Sequence, residues 1–368
     1  MNYDSATLRW AGVGPYYAMF PLSFVDHVIE TYTRPGQYVL DPFAGRASSI
    51  FSAATLERHA IGIEINPVGW IYGKTKLSVA TKQDVVKRLG EIDEIGKDLN
   101  RDAGCDLPAF FHYCFARKSL HFLLAARNDL DWRHSKIDRT LMALILIDLH
   151  GGKERSFSNQ MRQSRAMHPD YSIRWWRAHQ SKPPQIDPLE FIKRKIEWRY
   201  AKGTPCVNGG EIYLGDSSQV LNRLIKKLNA GELQRFDLLF TSPPYIGISD
   251  YHRDQWLRLW MLGGESSATR DAHRYRHDFS SAEIYKEMLR KIFTKSAELM
   301  RPSGVVYVRT DARTNTFEIT REILKECFPD WRMRVAEQPY KRQTQTALYG
   351  DKSKKPGEKD IVLYGPKR

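Results

Sequence analysis

The 368-residue sequence predicts an α/β fold, a doubly wound mixed sheet interrupted by a helix-rich insertion. Three observations carry that prediction. A short strand at Tyr38-Val39-Leu40 runs through a glycine-bearing loop into a helix and then into a second strand ending in an acid, Glu64. The apolar run at 236–240 stops abruptly at Thr241-Ser242-Pro243-Pro244-Tyr245. Between them, residues 70–210 show helical spacing in place of strand–helix alternation.

Composition bounds the rest. The chain carries 57 Lys and Arg against 43 Asp and Glu, a net charge of +14 that favours a polyanionic partner. Apolar residues make up 42%, enough for a large core in one domain with an insertion or in two domains. No run of about 18 apolar residues occurs, so no membrane span is expected. Met1-Asn2-Tyr3-Asp4 does not read as a secretory signal. Cys105, Cys114, Cys206 and Cys327 have neither zinc-like spacing nor the density of a disulfide framework. No metal is therefore expected, and a reducing, cytoplasmic setting fits.

Taken in order, residues 12–21 form a loop rich in Gly, Pro and aromatics, and Ser23 is placed to cap a helix carrying Phe24, Val25, Val28 and Ile29. The strand at 38–40 enters Asp41-Pro42-Phe43-Ala44-Gly45-Arg46-Ala47, and residues 50–56 continue as a helix. The second strand follows at 59–65. An acid at the end of such a strand suits the two hydroxyls of a ribose; as an alternative, Glu64 is a helix cap or a surface charge. Helical spacing recurs at 82–99, 115–130 and 140–150. Residues 211–214 read as a third strand ending near Asp216, 220–228 as a helix, and 236–240 as the next strand. Helices are expected over 250–260, with Trp256, Leu259 and Trp260 packing, and over 280–300, with Ser281 as cap. Strands are expected at 304–309, 331–339 and 360–364, and a mobile basic loop at 341–359. The catalytic domain is thus assigned to 1–70 and 211–368, and the helical insertion to 71–210.

Two stretches carry chemistry. Consecutive prolines cannot continue a central strand, because neither has an N–H for the ladder. The chain must leave the sheet at Pro243 in a rigid, extended form. The Ser242 hydroxyl and the Pro243 carbonyl then become candidate acceptors for the two N–H bonds of an exocyclic nucleobase amine. Such contacts localise a lone pair that is otherwise delocalised into the ring. Tyr245 offers a face for the base to stack on, and proline rigidity orders the acceptors in advance. In the insertion, Lys153, Arg155, Asn159, Gln160, Arg162, Arg165, Arg174 and Arg177 mix cations with amides beside Trp175 and Trp176. That mixture suits phosphates, base edges and stacking; as an alternative it is a solvated basic face over a local Trp core.

Asp41-Pro42-Phe43-Ala44-Gly45 and Thr241-Ser242-Pro243-Pro244-Tyr245 together resemble the S-adenosylmethionine-dependent amino-methyltransferases of DNA, the second in the form most associated with cytosine N4. The resemblance covers roughly 15–70 and 211–365. It implies a class I methyltransferase, Rossmann-like in architecture, with S-adenosyl-L-methionine as cofactor and DNA as partner. A cognate restriction endonuclease is a further partner it raises. It implies that Asp41 and the backbone of Pro42, Phe43, Ala44 and Gly45 hold the methionine part of the cofactor. The loop around Phe20 would complete that pocket. Glu64 would take the ribose and Asp216 the adenine, with Asn66, Ser217 and Thr241 beside them. Ser242, Pro243, Pro244 and Tyr245 would hold the base. One departure stands out: the family loop usually continues Gly-Ser-Gly, whereas Arg46-Ala47 follows Gly45 here. No cysteine sits in a Pro-Cys context near a strand end, since Cys206 after Pro205 lies in a loop, so direct transfer to nitrogen is expected without a covalent enzyme–base intermediate. Adenine N6, an RNA base, and a nucleic-acid-binding relative without catalysis are the competing readings.

Overall fold

The structure is a computed structural model describing residues 4–15, 20–152, 154–246, 251–268, 281–338 and 357–366. The chain forms two compact units.

The first unit, Ala18–Leu77 with Val207–Asp250 and Tyr275–Arg368, is built on a seven-stranded sheet. Its strands are β1 (Tyr38–Asp41), β2 (His59–Glu64), β3 (Gly210–Leu214), β4 (Phe236–Thr241), β5 (Met300–Asp311), β6 (Arg332–Gln338) and β7 (Glu358–Tyr364), in the spatial order β3-β2-β1-β4-β5-β7-β6. Strands β1 to β5 run parallel, and β7 lies antiparallel between β5 and β6. This mixed, doubly wound sheet is Rossmann-like. Strand β4 is buried at every position, as a central parallel strand must be when both faces are covered. Its one charge, Asp237, receives the Tyr38 N–H at 2.9 Å, the Gln37 amide at 3.1 Å and Arg301 at 3.1 Å.

The helices of this unit are α2 (Leu22–Tyr32), α3 (Ser48–Thr55), α4 (Pro67–Leu77), α11 (Ser217–Asn229), α14 (Ala282–Leu299) and α15 (Thr314–Cys327). Leu221, Leu224, Phe293, Ile323 and Leu324 close one core with Leu40, Leu239 and Val306 of the sheet. Ser281 caps α14 by accepting the Glu283 N–H, as expected. Ser23 does not cap α2. That helix begins at Leu22 behind Pro21, whose ring presets the entry, and leaves Ser23 inside the first turn. Residues 339–356, most of the stretch expected as a basic loop, lie outside the described residues. Glu358 and Lys359, assigned to that loop, are instead the first residues of β7 and pair with Asp311 and Thr310.

The second unit, Met1–Tyr17 with Ser78–Cys206 and Tyr251–Arg274, is helical. It holds α1 (Ala6–Ala11), α5 (Lys82–Asp98), α6 (Ala109–Cys114), α7 (Arg117–Asp129), α8 (Lys136–Ile147), α9 (Pro169–Ala178), α10 (Pro188–Tyr200), α12 (Tyr251–Asp254) and α13 (Trp256–Met261). Helix α8 starts four residues before the expected Thr140, because Ser135 accepts the Asp138 N–H and caps it earlier. Two segments placed by sequence with the sheet group here. Trp10 packs edge-on against Tyr200 at 5.0 Å, and Trp256 and Trp260 meet Phe110 and Phe111 at 4.9 and 4.5 Å. These aromatic contacts bury large surfaces that short segments could not otherwise cover. Arg258, fully buried, ties α13 in by donating to the Leu146 and Gln163 carbonyls and to Gln255, at 2.8–2.9 Å.

Candidate active site on the sheet unit

The order of the strands reverses between β1 and β4, and ligands of open α/β sheets bind outside the carboxyl ends at that point. Asp41 ends β1 and Thr241 ends β4. The Thr241 hydroxyl donates to Asp41 Oδ1 at 2.6 Å, so the two motif stretches, 200 residues apart in sequence, are joined at the reversal. Asp41 also accepts the Phe43 N–H at 3.0 Å and the Ser49 hydroxyl. It is buried, and burial pushes its carboxyl up to about 6, with Ser49, Thr241 and the Phe43 N–H opposing that rise.

Glu64, at the end of β2, is buried against the same loop. Its carboxylate accepts the Asn66 N–H at 2.7 Å and the N–H groups of Gly45 and Ile65. Burial nonetheless dominates and raises it to about 8. The Asn66 side chain accepts the Val68 N–H at 2.9 Å and so starts α4. The loop carries left-handed backbone at Gly45 (φ 53°) and at Ala47 (φ 57°, ψ 46°). Ala47 therefore keeps a glycine-type conformation without the glycine, at a cost of about 1–2 kcal/mol, and offsets part of it by burying its methyl group.

The Phe43 ring and the Pro42 carbonyl are fixed from outside the loop: the Ser217 hydroxyl donates to Pro42 O at 2.6 Å, while the Phe43 ring meets Phe293 edge-on at 6.4 Å. Ala44 N–H donates to Ile63 O at 3.0 Å. Asp216, between β3 and α11, caps that helix by accepting the Ser218 and Gln219 N–H groups at 2.8 and 3.2 Å. Phe20 stacks on Phe240, the residue before Thr241, at 5.2 Å.

The stretch after β4 is braced by residues that sequence reading did not single out. Ser242 Oγ and Tyr245 Oη lie 3.3 Å apart, and the Tyr245 hydroxyl also bonds Glu358. Burial pushes the Glu358 carboxyl up, with Arg309 opposing from 3.3 Å. Arg309 in turn grips Asp360 at 2.6 and 2.8 Å, the two-pronged geometry that makes such pairs strong. Its guanidinium lies 3.6 Å over the Phe24 ring. Arg313, paired with Asp311, donates to the Ile246 carbonyl at 3.0 Å. Glu358 of β7 and Arg313, just past the end of β5, thus hold the carboxyl end of Ser242–Ile246.

Residues 3–68 match a DNA methylase family model. The match takes in Asp41, Gly45 and Glu64, and leaves Ser242–Tyr245 outside. Among curated proteins, the chain is 39% identical over 54 residues to the type II methyltransferase M.Cfr9I of Citrobacter freundii. It is 42% identical over 53 residues to the type II methyltransferase M.HindIII of Haemophilus influenzae. The alignments cover 15% and 14% of this chain, and span only 18% and 17% of those proteins. Among solved structures, TrmN from Thermus thermophilus aligns over 98% of this chain and 52% of that one, at 12% identity and a TM-score of 0.35.

Gly69, inside the matched family's neighbourhood but one residue past its end, was not legible as a site residue. A Cβ there would lie 2.8 Å from the Gly45 carbonyl and 3.0 Å from Glu64 Cγ. Gly69→Ala is expected to destabilise the protein by about 1–2 kcal/mol, since the clash with backbone outweighs the helical preference for alanine. A denaturant midpoint at or above that of the native protein would show that α4 can move away from the loop.

The insertion residues behave differently from one another. Arg155, Gln160, Arg162 and Arg174 are exposed, Arg165 is half-buried, and Lys153 lies outside the described residues. Arg177 is exposed but leans on Tyr113, at 4.9 Å from its ring and 3.0 Å from its hydroxyl. Asn159 is a correction: it is fully buried, donating to the Tyr113 and Ser181 carbonyls and accepting the Ser181 hydroxyl and Gln160 N–H. With its amide taken up internally it staples a loop and has nothing left for a base edge. Trp176 is likewise core, donating to Gln160 O at 2.9 Å.

Proposed function

We propose that the chain is a DNA methyltransferase that transfers a methyl group from S-adenosyl-L-methionine to the exocyclic N4 amine of cytosine. The observation that carries this reading is the 2.6 Å Thr241–Asp41 hydrogen bond, which sets the Ser-Pro-Pro-Tyr stretch against the Asp-Pro-Phe-Ala-Gly loop where the strand order reverses. The match of residues 3–68 and the two type II methyltransferases support it.

The residues present fit the cofactor. Asp41, Glu64 and Asp216 follow successive neighbouring strands β1, β2 and β3. Carboxylates there suit a ligand that bears a cationic amine and ribose hydroxyls, and Gly45 and Gly69 keep the loop free of side chains. The cofactor supplies an electrophilic methyl on a sulfonium. What the chain must add is position: Ser242 Oγ and the Pro243 carbonyl accept the amine N–H bonds, and Tyr245, steadied by Glu358, holds the base by stacking. The S–CH3 bond breaks as the N–CH3 bond forms, S-adenosylhomocysteine leaves, and the extra amine proton passes to water. Exposed cations of the helical unit take DNA phosphates. Incubation with methyl-labelled cofactor should place label in double-stranded DNA; label in RNA alone would replace this substrate class.

Glu64 gives the reading a pH signature. A carboxyl raised from about 4.5 to about 8 in the folded protein favours the protonated form. It contributes stability that is fully present below pH 4.5 and lost as pH rises through 8. A ribose that donates to the ionised carboxylate binds better as that proton leaves. Cofactor affinity should therefore rise ~50-fold between pH 6 and pH 8, relative to Glu64→Gln. Calorimetry at both values checks this; parallel pH profiles for the two proteins would remove the ribose from Glu64.

A further inference from the structure

A cleft of about 590 Å³ opens in the helical unit beside α5 and α7, lined by no residue of the 151–177 stretch that composition singles out. Lys97, Arg101, Arg117, Lys118, His121 and Gln185 are among its lining residues. Its floor is a close helix contact: a Cβ on Gly96 would lie 3.1 Å from the Phe122 Cα, so only glycine lets α5 and α7 approach this far.

The charges around it are unequally satisfied. Lys97 is neutralised by Asp93 at 2.7 Å and Glu94 at 2.8 Å, and Lys118 pairs with Asp187. Arg101 and Arg117 have no ion-pair or hydrogen-bond partner among the described residues. The α7 helix begins with Arg117 and Lys118, with no acid in its first turn and no capping side chain. Cations at that end oppose the helix dipole, an opposition that an anion in the cleft would reverse. The His121 Nε2 atom is enclosed and unpartnered. Burial holds its ring below the ordinary histidine range, as does the Arg117 charge. Asp93, the one acid lining the cleft, is paired with Lys97, so the balance of the lining is positive and draws anions; two unpaired guanidinium forks with an amide match the oxygens of a phosphodiester.

We infer that this cleft holds a phosphodiester of the nucleic-acid backbone through Arg101 and Arg117, with Gln185 alongside. The partner's identity rests on the DNA reading above; the anion site itself rests on the cleft. As a backbone contact it adds affinity without sequence preference.

The test uses the full chain, a short duplex of arbitrary sequence, and binding measured across a salt series. The variant R101Q/R117Q removes the two free cations from exposed positions. R223Q/K227Q removes the same charge from the exposed face of α11. In R101Q/R117Q the slope of log K against log salt should become shallower by about 2, with weaker binding to every duplex. R223Q/K227Q should keep the native slope. An unchanged slope in R101Q/R117Q, with methyl transfer to DNA intact, overturns the cleft and leaves the enzyme reading standing. Native protein that neither binds nor methylates duplex overturns both. Binding of poly-glutamate, but not of duplex, by the native protein overturns the inference in favour of an acidic protein partner.

Discussion

Ser242→Ala is expected to slow methyl transfer by about 100-fold or more while leaving cofactor affinity near its native value. The hydroxyl is one of the acceptors that draw the amine lone pair out of the ring, and losing one pre-ordered polar contact at a reacting centre costs about 2.7–4 kcal/mol of barrier. Tyr245→Ala should lose a comparable factor by releasing the base. Tyr245→Phe is the more informative variant. It keeps the stacking face but removes the hydroxyl that bonds Glu358 and lies 3.3 Å from Ser242 Oγ. A Phe variant much faster than the Ala variant assigns the ring to binding; equally slow variants assign the hydroxyl to holding the loop. Single-turnover rates with saturating cofactor separate these outcomes. Near-native rates in both Ser242→Ala and Tyr245→Ala would remove the stretch from the active site.

Asp41→Ala is expected to abolish measurable cofactor binding and to destabilise the protein by about 3 kcal/mol. The substitution strands the buried Thr241 hydroxyl, the Ser49 hydroxyl and the Phe43 N–H together, and each orphaned buried group costs about 1–3 kcal/mol. Asp41→Asn separates structure from binding. An amide oxygen can still accept from Thr241 and Phe43, so only the Ser49 bond is lost, and unfolding should shift by about 1 kcal/mol. The negative charge is gone in both. Asp41→Asn that folds near-normally and still binds S-adenosylmethionine at native affinity would show that Asp41 is a brace between strands and not a cofactor ligand.

The sheet was legible because its signals are local. Tyr38–Asp41 and His59–Glu64 are short apolar runs punctuated by glycine and acid, and the double proline after Thr241 can only end a strand. The bracing of that loop was not legible. Glu358 reaches Tyr245 from β7, held in turn by Arg309 of β5, which also grips Asp360, and nothing in their spacing announces a pairing between strands so far from it in sequence. Glu358 was masked further by its basic neighbours, which read as loop. Asn159 shows the converse error. A basic, amide-rich composition cannot say which amide faces solvent, and this one is spent on carbonyls inside the fold. The division of the chain also escaped, because Trp10, Trp256 and Trp260 find their partners on α6 and α10, beyond the reach of any periodicity.

The central claim is that the braced Ser242–Tyr245 stretch delivers a methyl group to an exocyclic amine of DNA. Digestion of DNA treated with protein and S-adenosylmethionine to nucleosides, followed by mass spectrometry, tests it most directly. N4-methylcytosine is expected, and absent when Ser242→Ala replaces the native protein. N6-methyladenine would keep the chemistry and change the base. 5-Methylcytosine, or unmodified DNA from a protein that binds cofactor, would contradict methyl transfer to an exocyclic amine by this stretch.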